Sequence, residues 1–250
     1  MTRTPLMAGN WKMYKTAAET SAFFTQFVPL VAGAQNRDVV ICPTFVNLAA
    51  AVAAVEGSRV EIGGQNVYWA KEGAFTGEIS GPMLKAVGAR WVIIGHSERR
   101  QYFGETDETV LKRTVAALDA GLHPIVCVGE RLEERESGRT EEVLSAQFKG
   151  GIAPLAPGEF ARIVIAYEPV WAIGTGKTAT PDIAADAHRA IRAEVRAKFG
   201  EEAAAKVRIL YGGSVKPDNV KTLMSKEEID GVLVGGASLD PAGFASIVNF

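Results

Sequence analysis

The sequence is poor in cysteine, in histidine and in net charge. Its 250 residues include two cysteines and three histidines, and the formal net charge is −2. Cys42 and Cys127 lie in separate apolar runs without a C-x-x-C pair, which predicts buried thiols in a reducing, cytoplasmic compartment rather than a disulfide. A charge balance this close to neutral gives no general attraction to nucleic acid.

Long hydrophobic runs are also missing. The longest strongly apolar stretch, residues 48–55, is too short for a bilayer, which takes about 20 residues to cross as a helix. Residues 1–6 lack the basic region, apolar core and cleavage site of a secretory signal. We therefore expect no membrane partner and a cytoplasmic location.

Metal and nucleotide motifs are absent as well. The sequence has no H-x-H, H-E-x-x-H or carboxylate cluster with ligand spacing, and no G-x-S-x-G. The Gly-Thr-Gly-Lys-Thr run at residues 174–178 superficially resembles a nucleotide loop, but its spacing does not fit G-x-x-x-x-G-K-[ST]. We predict neither a metal nor a cofactor.

What the sequence does have is a regular alternation of short apolar runs with longer Ala- and charge-rich stretches. Near-continuous apolar runs are typical of parallel strands buried on both faces. The eight runs span residues 6–11, 39–42, 60–64, 91–95, 124–129, 163–168, 207–211 and 231–235. Eight such units predict an α/β fold, a (β/α)8 barrel in one domain over residues 1–250. An open doubly wound sheet is the alternative, but no G-x-G-x-x-G opens its first unit.

Helical spacing predicts the segments between the strands. Apolar residues repeat at helical spacing over residues 17–31 and 106–120, and a third helix begins at Pro181 with Thr180 as its N-cap. The charged stretch 130–142 predicts a solvated helix. His188 lies in the middle of the third helix and is expected to be exposed.

The carboxyl ends of the strands are where barrel enzymes build their active sites. Polar or small residues stand at five of these ends. They are Asn10 and Lys12, then His96 with Ser97 and Glu98, then Glu168, then Tyr211 to Ser214, and finally Gly235 and Gly236. A lone His at such a position is more often a structural residue, and a lone Lys is more often a surface residue. The candidate site therefore depends on the combination of residues at the five strand ends.

Glu168 is the most informative member of this set. It ends an apolar strand, where burying a carboxylate costs free energy. Its presence there therefore suggests a functional role. Residues 169–179 follow with stiff ends and a small, Gly-rich tip, which is typical of a mobile lid. The alternative is a structural ion pair with a neighbouring lysine.

The Gly pairs 212–213 and 235–236 indicate a phosphate site. Glycine turns after strands 7 and 8 let backbone N–H groups converge on an anion. Taken alone, either pair could simply make a tight turn.

Six segments together resemble the triosephosphate isomerase family. They are Gly-Asn-Trp-Lys-Met at 9–13, Thr-Gly-Glu-Ile-Ser at 76–80, Gly-His-Ser-Glu-Arg-Arg at 95–100, Ala-Tyr-Glu-Pro-Val-Trp-Ala-Ile-Gly-Thr-Gly-Lys at 166–177, Tyr-Gly-Gly-Ser-Val at 211–215 and Gly-Val-Leu-Val-Gly-Gly-Ala at 231–237. They cover the chain in order. Tyr14 departs from the family, which often has Asn there, and makes local subunit contacts less certain.

The resemblance implies an aldose–ketose isomerase of glycolysis and gluconeogenesis, which interconverts dihydroxyacetone phosphate and glyceraldehyde 3-phosphate. It implies Glu168 as base, Asn10 and Lys12 at the substrate oxygen, and His96 as a neutral imidazole with a lowered pKa. It further implies phosphate contacts and supporting residues. The phosphate contacts are Ile173, Gly174, Ser214, Gly235 and Gly236, and the supports are Ser97, Glu98, Cys127 and Tyr211.

A homodimer also follows from the resemblance. The long segment 65–80 becomes the dimerisation loop, with Thr76, Gly77 and Glu78 at its tip. From the residues alone, this aromatic-rich loop is a binding surface or an Ω-loop packed on its own domain.

Two other functions remain as alternatives. One is a different phosphate-binding barrel enzyme, such as an epimerase or a synthase; a metal-dependent sugar-phosphate epimerase would need His and Asp ligands at several strand ends, and the sequence does not have them. A non-catalytic barrel protein would be expected to have lost Lys12, His96 or Glu168.

Overall fold

The fold is a closed barrel of eight parallel strands. A computed structural model describes residues 3–173 and 179–250. Each strand pairs with the next in sequence, and the eighth pairs with the first. The strands are β1 Leu6–Asn10, β2 Asp38–Cys42, β3 Val60–Gly64, β4 Trp91–Ile94, β5 His123–Val128, β6 Val164–Tyr167, β7 Ile209–Tyr211 and β8 Gly231–Val234. The predicted (β/α)8 barrel is confirmed.

Helices connect the strands. Those within the described residues are α1 Ala17–Val31, α2 Leu48–Ala54, α3 Gly81–Ala86, α4 Ser97–Phe103, α5 Asp107–Asp119, α6 Leu132–Glu136, α7 Thr140–Gly151, α8 Pro157–Phe160, α9 Pro181–Phe199, α10 Glu201–Lys206, α11 Val220–Met224 and α12 Pro241–Val248. Short 3₁₀ turns at Phe45–Asn47, Val170–Ala172 and Gly236–Leu239 complete the connections.

Local chemistry accounts for the helix ends. Thr16 begins α1 with a reciprocal capping box to Glu19. The Thr180 hydroxyl accepts a hydrogen bond from the Ile183 amide at 3.2 Å, which confirms the predicted start of α9.

The charged stretch 130–142 does not form the predicted single helix. It contains α6 and the beginning of α7, separated by a turn in which Gly138 has a φ of 73°. Glu130, expected in solvent, is fully buried. The expectation failed because a run of charges does not reveal which member has a partner elsewhere in the chain.

The core has two layers. Alternate strand residues such as Ile125 and Cys127 fill the barrel, while Val126 and Val128 pack against the helices. Both cysteines are free and buried, as predicted. His188 is fully buried on α9 rather than exposed, because it lies on the face that also carries Ala184 and Ile191.

Parallel pairing places all eight carboxyl ends at one end of the barrel. The candidate residues at those ends are therefore brought to one face. In the part of the chain that the structure describes, no helix combines the length and apolar character needed to span a bilayer.

Candidate active site

Glu168 follows β6 directly and is held by the neighbouring strands. Its backbone amide donates to the Val128 carbonyl at 2.8 Å, and the Gly212 amide donates to the Tyr167 carbonyl at 2.7 Å. Only 2% of Glu168 is exposed. The strand ladder thus fixes a carboxylate at the buried floor of the barrel end.

Two neighbours hydrogen-bond the Glu168 carboxylate. The Ser97 amide donates to Oε2 at 2.9 Å, and His96 Nε2 lies 2.9 Å from Oε1. The Ser97 hydroxyl adds a longer contact of 3.4 Å to Oε1. These donors favour the charged form of the carboxylate.

The pKa of Glu168 is lowered overall. Burial pushes it upward, but the His96 contact, the Ser97 amide and the charge of Lys12 outweigh burial. Glu168 is therefore ionised at neutral pH, although it is almost completely enclosed.

His96 caps the amino terminus of α4. Its Nδ1 accepts a hydrogen bond from the Glu98 amide at 3.2 Å, so the proton of the neutral ring sits on Nε2 and faces Glu168. Burial lowers the pKa of His96, but the Glu168 carboxylate raises it more, and the net shift is upward. This upward direction is opposite to the lowered pKa that the resemblance implies, because here the contact with the Glu168 carboxylate outweighs burial. The role of His96 as a neutral imidazole stays a prediction.

Lys12 and Asn10 stand at the end of β1. Lys12 has a φ of 51°, and its amide donates to Asn10 Oδ1 at 3.0 Å. Its ammonium lies 2.6 Å from Glu98 Oε1. Gln65, a residue that the sequence did not single out, donates to the Lys12 carbonyl at 2.8 Å and steadies this unusual backbone.

A cavity of about 250 Å³ joins these residues to the glycine turns. Its walls come from the ends of β1, β4, β6, β7 and β8. They include Asn10, Lys12, His96, Glu168, Ile173, Ser214, Gly235 and Gly236, together with Lys216 and Leu233, which the sequence did not suggest. Gly174 lies outside the described residues. The cavity thus brings a carboxylate, an imidazole and an ammonium together with the backbone-rich turns that follow β7 and β8.

Comparison with known proteins identifies the family. The triosephosphate isomerase family model matches residues 5–250. A triosephosphate isomerase of Solibacter usitatus is 73% identical, over 99% of this chain and 100% of the relative, and that of Citrifermentans bemidjiense is 56% identical over 99% of each. The chain belongs to the triosephosphate isomerase family. A crystal structure of the enzyme from Bartonella henselae superposes with a TM-score of 0.89 at 39% identity and covers 98% of both chains.

As a member of the triosephosphate isomerase family, the chain is an isomerase that acts on a small triose phosphate. Among residues 3–173 and 179–250, no group of three or more His, Cys, Asp or Glu side chains is arranged to hold a metal ion. The expected independence from metals and cofactors stays a prediction.

The residues predicted as supports of this isomerase site differ in what they contact. Cys127 is buried beneath Glu168, and burial together with that carboxylate raises its pKa well above the usual value, so it stays a neutral thiol. The Glu98 carboxylate pairs with Lys12 rather than with His96, which it approaches only to 3.7 Å. Burial raises the pKa of Tyr211 to about 12.

Glu130 is the residue of this region that sequence reasoning missed. Its Oε1 accepts hydrogen bonds from the Tyr167 hydroxyl at 3.0 Å and from Trp171 Nε1 at 2.9 Å. Its carbonyl accepts from the Val170 amide at 3.1 Å. Glu130 therefore anchors the segment that follows Glu168. Both ring donors are about 40 residues away, so no local signal could have revealed the contact.

The segment 65–80 projects from the barrel beyond β3. The Tyr68 ring stacks on Trp69 at 4.1 Å between centroids and contacts Phe75 at 4.7 Å. Thr76 and Gly77 are exposed at its tip, beside the partly exposed Glu78. The aromatic contacts stiffen the loop from within, while its tip stays accessible.

Proposed function

We propose that the chain interconverts dihydroxyacetone phosphate and D-glyceraldehyde 3-phosphate, in glycolysis and gluconeogenesis, with Glu168 as the base that moves the proton. The observation that carries this proposal is a buried, ionised carboxylate beside a cavity that also contains Lys12, His96 and two glycine turns. This arrangement suits the removal of a proton from a carbon next to a carbonyl.

Glu168 takes that proton, and the electron pair of the broken C–H bond forms the double bond of an enediolate. The same carboxyl group then returns a proton to the neighbouring carbon, while the hydroxyl proton of the first carbon passes to the oxygen of the second, so the substrate is isomerised without net gain or loss of atoms. The two hydrogen bonds that hold Glu168, from His96 and Ser97, support this role because a substrate that displaces one of them frees a basic oxygen.

The charge that develops on the substrate oxygens needs donors that are already in place. His96 Nε2–H, the Lys12 ammonium and the Asn10 amide are the candidates, since all three side chains line the same cavity. Glu98 supports this assignment because it holds the ammonium of Lys12 at 2.6 Å.

Ser214, Gly235 and Gly236 hold the phosphate in this proposal. A Cβ atom added at Gly236 would meet no atom within 4 Å, so its backbone faces open space. Ile173 lines the same cavity. Gly174 completes the phosphate site when residues 169–179 close as a lid and exclude water from the enediolate.

The lid assignment is supported by its first residues. Pro169 is followed by the 3₁₀ turn Val170–Ala172, whose Trp171 ring is hydrogen-bonded to the buried Glu130. That attachment gives the segment a fixed base from which it can move as a unit. The lid is part of the single barrel domain that we assign to residues 1–250.

A cytoplasmic homodimer completes the proposal. In it, Thr76, Gly77 and Glu78 reach the partner chain near its Asn10 and Lys12. Large apolar side chains are exposed in the segments that follow β1, β2, β3 and β4, which supports an interface because exposed apolar groups mark contact sites. They are Met13, Tyr14, Val46, Trp69, Phe75, Met83, Tyr102 and Phe103. Sedimentation analysis that finds a fully active monomer would refute the dimer.

The base assignment is tested by the Glu168→Gln variant in a coupled assay with glyceraldehyde 3-phosphate. Because a positioned base contributes about 10²–10⁴-fold to turnover, kcat should fall by at least about 10²-fold. Glu56→Gln, at an exposed position, is the matched control and should retain full turnover. A Glu168→Gln turnover within about threefold of the parent would reject Glu168 as the base.

A further inference from the structure

A second cavity lies at the opposite end of the barrel from Glu168. Its volume is about 510 Å³, and it opens beside the first residues of β4, β5 and β6. The helices α8 and α10 form its outer wall. Since a strand advances about 3.3 Å per residue, the cavity is separated from the catalytic end by the length of the barrel.

Two pairs of aromatic rings are among the residues that line this cavity. On the strand side, the rings of Trp91 and His123 lie 5.0 Å apart between centroids. On the helix side, Phe160 and Phe199 stack at 4.0 Å with an angle of 14° between their planes. Aromatic side chains in the lining favour an aromatic ligand, because rings pack well in offset or edge-to-face contacts.

Positive charge dominates the rim. Arg162, Lys206 and Arg208 line the cavity, against a single carboxylate, Glu202. Lys206 bonds Glu202 at 2.5 Å, and Arg208 bonds Asp38 at 2.6 Å outside the cavity.

Arg162 differs from the other two cations. Its guanidinium donates to the backbone carbonyl of Leu118 at 3.1 Å, and it pairs with no carboxylate among the described residues. Most of its N–H donors therefore remain available, and a planar guanidinium suits a carboxylate because two parallel hydrogen bonds can form.

His123 does not change the excess of cations over carboxylates at the rim at neutral pH. Burial lowers its pKa, and the neighbouring Arg162 and Arg208 add to the downward shift against the opposing effect of Glu61. The ring therefore contributes a neutral aromatic face to the wall, and the rim keeps its excess of cations over carboxylates.

We propose that this cavity is a binding site for a small aromatic carboxylate, with its ring against the aromatic residues of the lining and its carboxylate on Arg162. The volume is within the range of small-molecule pockets, and the combination of apolar walls with one oriented polar group is typical of them. The site is separate from the one that isomerises triose phosphates.

Binding to the full-length chain is measured by isothermal titration with three probes of similar size. 1-Naphthoate carries both the aromatic rings and the carboxylate, 1-naphthamide lacks the charge, and decahydronaphthalene-1-carboxylate keeps the size and the charge but lacks aromatic rings. For a ligand of this size we expect a Kd for naphthoate at or below roughly 1 mM, and at least about fivefold weaker binding of the other two. Absence of saturable naphthoate binding, or equal affinity for all three, would overturn the proposal.

Variants locate the site. Arg162→Met should weaken naphthoate binding by about fivefold or more and leave naphthamide unchanged, since only the charged contact is lost. Ala161→Trp, at an exposed lining position, should block both ligands by filling the cavity. Arg189→Met, on the exposed face of α9, is the control and should bind like the parent.

The isomerase assay shows whether each variant is folded and where the probe binds. All three variants should retain the parent's turnover, because their side chains lie far from Glu168. Saturating naphthoate should leave KM for the triose phosphate unchanged. A KM that rises in step with naphthoate occupancy would place the probe in the active site and refute the second site, as would Arg162→Met binding naphthoate as tightly as Arg189→Met.

Discussion

Gly212 sets the position of Glu168, and a single added methyl group should disturb it. A Cβ atom at residue 212 would lie 2.9 Å from Glu168 Cγ and 3.1 Å from the Tyr167 carbonyl oxygen. That carbonyl is fixed because it accepts the Gly212 amide at 2.7 Å. The Glu168 side chain therefore has to move, by about 0.5 Å to reach an ordinary contact of 3.4 Å.

A shift of that size would lengthen the hydrogen bonds that orient the Glu168 carboxylate. The contacts of Glu168 with His96 and Ser97 are each 2.9 Å, and a 0.5 Å displacement takes them to about 3.4 Å, where a hydrogen bond is weak. Because a misplacement of about 1 Å can cost about 10²-fold in rate, we expect Gly212→Ala to lower kcat by roughly 10-fold to 100-fold. KM should change less than kcat, because the nearest atoms to the added Cβ belong to Glu168 and Tyr167 rather than to Ser214, Gly235 or Gly236.

The coupled isomerase assay measures both constants. Gly33→Ala is the matched control, because a Cβ atom at residue 33 would meet nothing within 4 Å. It should keep the parent's kcat. If Gly212→Ala retains kcat within about threefold while it folds normally, the contact with Gly212 does not position the base and the reasoning is refuted.

Two further predictions concern stability. Burial lowers the pKa of His188 to about 3, whereas an unfolded histidine titrates near 6.5. The free energy of unfolding therefore keeps its full value above about pH 6.5. It decreases as the pH falls toward 3, by up to about 1.4 kcal/mol per pH unit. Urea unfolding of His188→Gln should depend less on pH between about pH 6 and 4, and an unchanged slope would contradict this. Asp230→Asn breaks a buried pair with Arg192 at 2.7 Å, with side chains 4% and 6% exposed, and should cost about 3–5 kcal/mol of unfolding free energy. Glu201→Gln, in the exposed pair with Arg196, should leave the unfolding free energy unchanged. If both variants changed that free energy equally, the claim that the buried pair stabilises the fold more than the exposed pair would be contradicted.

The fold and the main site residues could be predicted because their signals are local in sequence. Five of the eight apolar runs lead directly into polar or glycine residues, and parallel pairing brings those ends together without any knowledge of long-range contacts. Glu168, His96 and Lys12 were found in this way, and the structure places all three around one cavity.

Other features depend on contacts between distant segments and were missed for that reason. Glu130 lies in a run of charged residues that predicts a solvent-exposed helix, but its carboxylate is buried against Tyr167 and Trp171. His188 was expected to be exposed because it is polar and lies in the middle of a helix. Its spacing of four residues from Ala184 and three from Ile191 is the signal that could have placed it on the buried face.

The central claim is that Glu168 carries the proton, and solvent deuterium tests it directly. Dihydroxyacetone phosphate is incubated in D₂O with the parent chain or with Glu168→Gln, and proton NMR follows both isomerisation and the appearance of carbon-bound deuterium. We predict that the parent produces both, that Glu168→Gln loses both together by at least about 10²-fold, and that its affinity for inorganic phosphate is kept. Deuterium incorporation by Glu168→Gln at a rate within about threefold of the parent would show that another group removes the proton and would contradict the mechanism.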